Sequence, residues 1–176
     1  MITDGKRKKN NSEYDYLKGS FMATLHLMVG LPCSGKTTLA RQLEQDYFAL
    51  RLTPDEWHTR LFGYDVEENE HDARHFLIES MLWDIAARVL VLGVNVIIDF
   101  GFWAKSERDD YRTRAAQLGA CSEIHFLNVS EAVLLERLAI RNAHLPQGAA
   151  YIPESKLKEW TTFFQPPTLD ELGQRE

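Results

Sequence analysis

Cysteine is scarce in this sequence, with two among 176 residues, Cys33 and Cys121. They read as small side chains in a reducing compartment rather than a disulfide pair, and they give no support to a cysteine metal framework. No apolar run approaches the ~18 residues needed to cross a bilayer. The Lys6-Arg7-Lys8-Lys9 cluster is followed by no apolar signal core, so the expectation is a cytoplasmic protein without a membrane partner. Positive charge is also short: 20 Lys and Arg face 26 Asp and Glu, for a net charge of −6. Residues 1–21 hold five basic and three acidic side chains, which leaves 15 basic against 23 acidic beyond them. Counterion-release binding to nucleic acid needs clustered Lys and Arg, so a duplex-binding role is disfavoured while a local basic groove stays open. There is no internal repeat and no low-complexity linker. The length fits one domain with a real core and leaves no room for a second catalytic domain. Residues 1–21 are polar and aperiodic, and read as a disordered basic extension or tag preceding a single domain over residues 22–176.

What the sequence does contain is a complete G-x-x-x-x-G-K-T run: Gly30, Leu31, Pro32, Cys33, Ser34, Gly35, Lys36 and Thr37, followed by Thr38. It lies between a strand-like stretch (24–29) and a helix-like stretch (38–46). Glycines at these positions let successive backbone N–H groups turn inward toward phosphate oxygens, and the following helix adds its positive end. Lys36 then reaches the β- and γ-phosphates, and the Thr37 hydroxyl can ligate Mg²⁺. A nucleoside triphosphate, with ATP and Mg²⁺ as the expected pair, is the ligand this pattern predicts.

Beyond this loop, residues 47–52 read as a second strand, and Thr53-Pro54-Asp55-Glu56 has the hydroxyl, early proline and first-turn acids of a helix start. That helix should end near Gly63. Ile78, Leu82, Ile85 and Val89 share one face of a long helix stopped by Gly93. Residues 94–98 form a β-branched run suited to a strand buried on both faces, ending at Asp99. A helix capped by Ser106 and closed by Gly119, a fourth strand over 123–128, a helix capped by Ser130 and a last helix opened by Pro153 complete the pattern. Alternation of this kind predicts an α/β fold with a doubly wound parallel sheet of about four to five strands. Ligands bind beyond the carboxyl ends of such strands, where the phosphate loop, Asp55 and Asp99 all fall. After Phe164 no fifth apolar strand is visible.

Phosphoryl transfer needs the triphosphate held, its charge neutralised, and an acceptor oxygen aligned and relieved of its proton. Asp55 is the candidate for accepting that proton, although with Glu56 it would also simply favour a helix N-terminus. Asp99 ends a hydrophobic strand, as a Mg²⁺-ordering acid does, or caps a turn there. Arg137 and Arg141 share a helix face, either as a lid over the triphosphate or as solvated charges. His71 and His75 share a helical face beside Glu70 and Asp72, a conceivable metal site, but read first as two exposed histidines on an acidic helix. Trp57, Phe102 and Trp103 are candidates for an apolar acceptor wall or for core packing. Asp99-Phe100-Gly101 matches a protein-kinase triplet, but no H-R-D loop precedes it. No N-K-x-D base-reading motif occurs, which argues against a GTP switch.

With the phosphate loop, the Leu52-Thr53-Pro54-Asp55-Glu56-Trp57 segment, the Ile97-Ile98-Asp99 strand end followed by Arg108 and Arg112, and Arg137-Leu138-x-x-Arg141-Asn142, the chain resembles a family. It is similar to the P-loop kinases grouped with the kinase domain of polynucleotide kinase, chloramphenicol phosphotransferase and the zeta toxins, often labelled AAA-family ATPases. The resemblance covers residue 22 onward. It implies a nucleoside-kinase-like P-loop NTPase fold with strand three beside strand one, ATP and Mg²⁺ as co-substrates, and γ-phosphoryl transfer to a hydroxyl of a small molecule. By position, Asp55 matches the acceptor-activating aspartate, and Arg137 with Arg141 the lid arginines. No arginine of the kind polynucleotide kinases use follows Asp55 immediately, Arg60 being the nearest. The alternatives are a nucleic-acid-end kinase and an ATPase without an acceptor.

Overall fold

The computed structural model describes residues 22–63, 68–145 and 151–173, so the amino-terminal segment 1–21 lies outside it. The described residues form four strands and six helices, beginning with β1 (Thr24–Val29), α1 (Lys36–Asp46), β2 (Leu50–Leu52), the helix pair α2 (Pro54–Phe62) and α3 (Glu68–Val91), and β3 (Val96–Ile98). They continue with α4 (Lys105–Gln117), β4 (Cys121–Phe126), α5 (Glu131–Ala143) and α6 (Glu154–Phe163). All strand pairs are parallel, in the order β2-β3-β1-β4, so strand three does lie beside strand one. Four strands are found among the described residues, within the expected four to five, and none follows Phe164.

Alternation along β1 divides the core. Leu25, Leu27 and Val29 pack with Leu52, Val96 and Ile98 against Ile78, Leu82 and Ala86 of α3 and Tyr111 and Ala115 of α4. Met28 and Ile97 point the other way, onto Ala40 and Leu43 of α1. Helices therefore cover both faces, the doubly wound arrangement that a sheet of buried apolar strands requires.

β4 lies two residues earlier than the expected 123–128, and three boundaries at helix ends differ for local reasons. Tyr47 and Phe48 are not strand: α1 closes on them, with Phe48 at φ 50° and the Ala49 N–H donating to the Glu44 carbonyl at 3.1 Å. That six-to-one bond is a Schellman cap with a bulky residue where glycine usually sits. Val94 is spent in the same way, donating to Val89 at 3.2 Å past Gly93 at φ 82°. Ser106 is not the cap of α4, which starts at Lys105; the Lys105 N–H is satisfied instead by the Gln165 side chain at 2.9 Å.

The tail is held by charge. Arg108 of α4, fully buried, donates to both carboxylate oxygens of Glu171 at 2.7 and 3.2 Å and to the carbonyls of Phe102 and Gln165. Burial acts to raise the Glu171 pKa, but hydrogen bonds from Arg108 and Thr168 prevail and bring it down to about 2. No helix among the described residues is long and apolar enough to cross a membrane.

Candidate active site

The phosphate loop leaves β1 at Gly30 and enters α1 at Lys36. A side chain at Gly30 would meet Ser34 Oγ at 2.9 Å and the Leu127 carbonyl at 3.2 Å, so the loop closes this tightly only around glycine. Cys33 at φ 66° and Gly35 at φ 103° supply the left-handed turns that face N–H groups inward. Lys36 Nζ donates to the Leu31 carbonyl at 2.9 Å, curling the loop about its own lysine. Burial lowers the Lys36 pKa, opposed by the carboxylates of Asp99 and Asp55. All three charges are therefore within electrostatic reach of one another.

Backbone links hold the segment after β3 against this loop. The Gly30 N–H donates to the Gly101 carbonyl at 3.1 Å, and the Trp103 indole N–H donates to the Gly30 carbonyl at 3.3 Å. A Cβ at Gly101 would fall 2.4 Å from that indole nitrogen. The same segment reaches the tail, since the Trp103 carbonyl accepts from the Gln165 N–H at 2.9 Å.

The loop, Asp55, Asp99 and Arg141 line one cleft of about 870 Å³, within the usual range for ligand sites. Asp99 is buried, and neither carboxylate oxygen meets a hydrogen-bond partner at normal distance among the described residues. Burial pushes its pKa up, while the neighbouring Thr37 hydroxyl, Lys36 and Arg51 pull it down. Two orphaned oxygens beside a threonine hydroxyl are hard donors of the kind Mg²⁺ takes, so Thr37 and Asp99 fit the ion expected from the sequence.

Asp55, at the first turn of α2, keeps its side chain 84% exposed toward the cleft. His75 Nε2 stands 3.3 Å from Asp55 Oδ1, and His75 Nδ1 stands 3.1 Å from Glu79 Oε1. Held between two carboxylates, His75 is pushed up to about 10. Asp55 is in turn lowered by its hydrogen bond to His75 and by Lys36. The expectation of two exposed histidines is thus half wrong: His71 is exposed, but His75 is half-buried and pinned to Asp55, because α3 packs beside α2 and carries it there.

The arginine pair separates. Arg141 lines the cleft, with one guanidinium nitrogen buried and without a hydrogen-bond partner among the described residues. Arg137 instead braces the back of the loop, donating to the carbonyls of Cys33 at 3.3 Å and Ser34 at 3.1 Å, and it is not part of the cleft lining. Trp103 reaches the cleft beside Trp160, their ring centroids 5.6 Å apart; Phe102 borders the same cleft with its ring buried in the core, and Trp57 lies outside the lining.

Sequence reasoning missed Arg51, His75 and Glu79. Arg51 on β2 donates to Glu56 at 3.0 Å and to the Thr53 hydroxyl, and stands 3.7 Å from Asp99. Its position directly upstream of the Thr53-Pro54-Asp55 turn was the available signal. Asn142 clamps Ile152 by Nδ2–H to its carbonyl at 2.7 Å, and residues 146–150 between them lie outside the described residues.

A family described as "AAA domain" matches residues 25–167. No curated protein is significantly similar to the chain. Among solved structures, a candidate kinase from Chloroflexus aurantiacus superposes with a TM-score of 0.68 at 20% identity, covering 84% of this chain and 82% of that one. A chain of the Pnkp1/Rnl/Hen1 RNA repair complex gives 0.67 at 22% identity over 89% of this chain and 50% of that one. A gluconokinase from Sinorhizobium meliloti gives 0.56 at 20% identity over 84% and 77%. The fold is that of the P-loop kinases.

Proposed function

The chain belongs to the AAA domain family, and from that premise we propose that it is an ATP- and Mg²⁺-dependent kinase that transfers the γ-phosphoryl group to a hydroxyl of a small molecule. One observation carries the reading: Asp55, pinned by His75, opens into the same cleft as Lys36 and the Thr37–Asp99 pair. A pure nucleotide switch has no use for a carboxylate held in that place.

The loop N–H groups seat the triphosphate, and Lys36 exchanges the Leu31 carbonyl for a phosphate oxygen. Magnesium held by Thr37 and Asp99 supplies charge neutralisation on the phosphates when bound. Arg141 offers its unpartnered guanidinium nitrogen to the migrating group, and Arg137 keeps the loop in shape from behind. Asp55 accepts the proton of the acceptor hydroxyl as the new O–P bond forms, the bridging bond to the β-phosphate breaks and ADP leaves. Protonated His75 fixes the other side of the carboxylate, the task for which no arginine follows Asp55.

An acidic body and an acceptor side lined by Trp103, Trp160, Glu107 and His71 favour a small, polyhydroxylated acceptor over a polynucleotide. The gluconokinase likeness supports the same class, and the RNA repair likeness supports the alternative. ADP release measured against sugars, nucleosides, antibiotics and RNA ends tests this. A single class of small hydroxyl compound should stimulate release, and Lys36→Ala should abolish it. Asp55→Asn should lower kcat by about 100-fold or more while ATP affinity stays within a few-fold. An ADP release rate indifferent to every compound would make the chain an ATPase. Stimulation by RNA ends alone would make it an end kinase, and full activity in Asp55→Asn would remove the base.

A further inference from the structure

The α1 face of the sheet carries a second group of reactive side chains, outside the cleft lining. His26 lies in the middle of β1, and Glu123 and His125 lie on the edge strand β4. The parallel register pairs His26 with Glu123 and Met28 with His125, so all three side chains leave the sheet on one face. His26 Nδ1 and His125 Nε2 are 2.9 Å apart. Glu123 completes the group, its Oε2 3.7 Å from His26 Nδ1 and its Oε1 3.8 Å from His125 Nε2.

Zinc bonds of ~2.0–2.1 Å in a tetrahedron set ligand atoms about 3.3 Å apart. The three observed distances bracket that value. Without an ion, the two imidazoles must share one proton across their contact, a proton that a cation held between His26 Nδ1 and His125 Nε2 would replace. His26 is only 3% exposed, and the Tyr47 ring stacked on it at 4.9 Å and 4° fixes its plane. Glu123 is 53% exposed and His125 12%, which leaves a route for an ion and a fourth position for water.

We propose that His26, Glu123 and His125 form a binding site for a zinc-type divalent cation. Two imidazoles with one carboxylate are a donor set that selects Zn²⁺ and its neighbours over Mg²⁺ and Ca²⁺. Such an ion straps the unprotected edge strand β4 to β1, the strand that delivers the phosphate loop, and does so without a cysteine.

The test is a Co²⁺ and Zn²⁺ titration of the full chain, stripped with chelator and free of nucleotide. The wild type should take up one equivalent of Co²⁺ with the visible absorption of a four-coordinate site, lose it to Zn²⁺, and melt several degrees higher with Zn²⁺ present. His125→Gln and Glu123→Gln, both on the edge strand and checked for fold by circular dichroism, should bind about tenfold or more weakly. The double variant His75→Gln, Asp99→Asn, which disables the cleft, should bind as the wild type does. No saturable uptake by the wild type, uptake unchanged in both edge-strand variants, or uptake lost in the cleft variant would each overturn the proposal.

Discussion

Asp55 is a weak base by its lowered pKa, and this suits its task, because a loose phosphoryl-transfer transition state asks for alignment of the acceptor oxygen before it asks for proton affinity. Alignment depends on His75. Its pKa is raised above the free value, so the charged form and its grip on Asp55 are present at neutral pH and are lost as pH rises through about 10. The kcat/KM profile should therefore hold through neutral pH and fall on an alkaline limb near 10. His75→Gln should remove that limb and lower kcat about tenfold while leaving ATP affinity intact. A variant profile that keeps the limb would assign it to another group. Asp55, Asp99 and Lys36 are visible in the sequence because each follows a strand end, where chain direction alone delivers them to the cleft. His75, Glu79 and Arg51 are not, since their roles arise from α2 lying beside α3 and from β2 sitting next to β3, facts of packing that no spacing records.

At the scale of elements, every strand and helix was legible in kind, and the errors fell at the caps and in a two-residue displacement of β4. Apolar residues 47–49 imitate a strand because Phe48 holds the left-handed position that glycine normally advertises. Phe48 is 89% exposed, so its ring contributes little packing to offset the backbone strain. Phe48→Gly should stabilise the protein by about 1 kcal/mol, seen as a rise in Tm of about 2–4 °C. A fall in Tm would mean that the phenyl ring has contacts worth more than the strain. The start of α4 was misread for a different reason: its first N–H is satisfied from Gln165, and a cap supplied by a residue far along the chain leaves no local signature.

Across the whole molecule, the buried Arg108–Glu171 pair fastens the last described turn to the sheet edge that bears the cleft. Removing one member strands a charge in the interior, so Glu171→Ala should cost about 3–5 kcal/mol in denaturant unfolding. Because the Glu171 pKa is depressed from 4.5 to about 2 in the folded state, this contribution is complete above about pH 4.5 and is lost as pH falls toward 2. The variant's stability should accordingly respond less to acid than the wild type's across that interval. The tail was opaque to sequence reasoning because a lone glutamate after two prolines carries no period, and only the fold brings Arg108 to it. The contacts from Gly30 through Gly101 and Trp103 to Gln165 run without a break from the mouth of the cleft to this clasp. An endoprotease cutting among residues 165–173 should therefore cut more slowly once a polyphosphate is seated, so that occupancy of the cleft can be read as protection of the chain beside it.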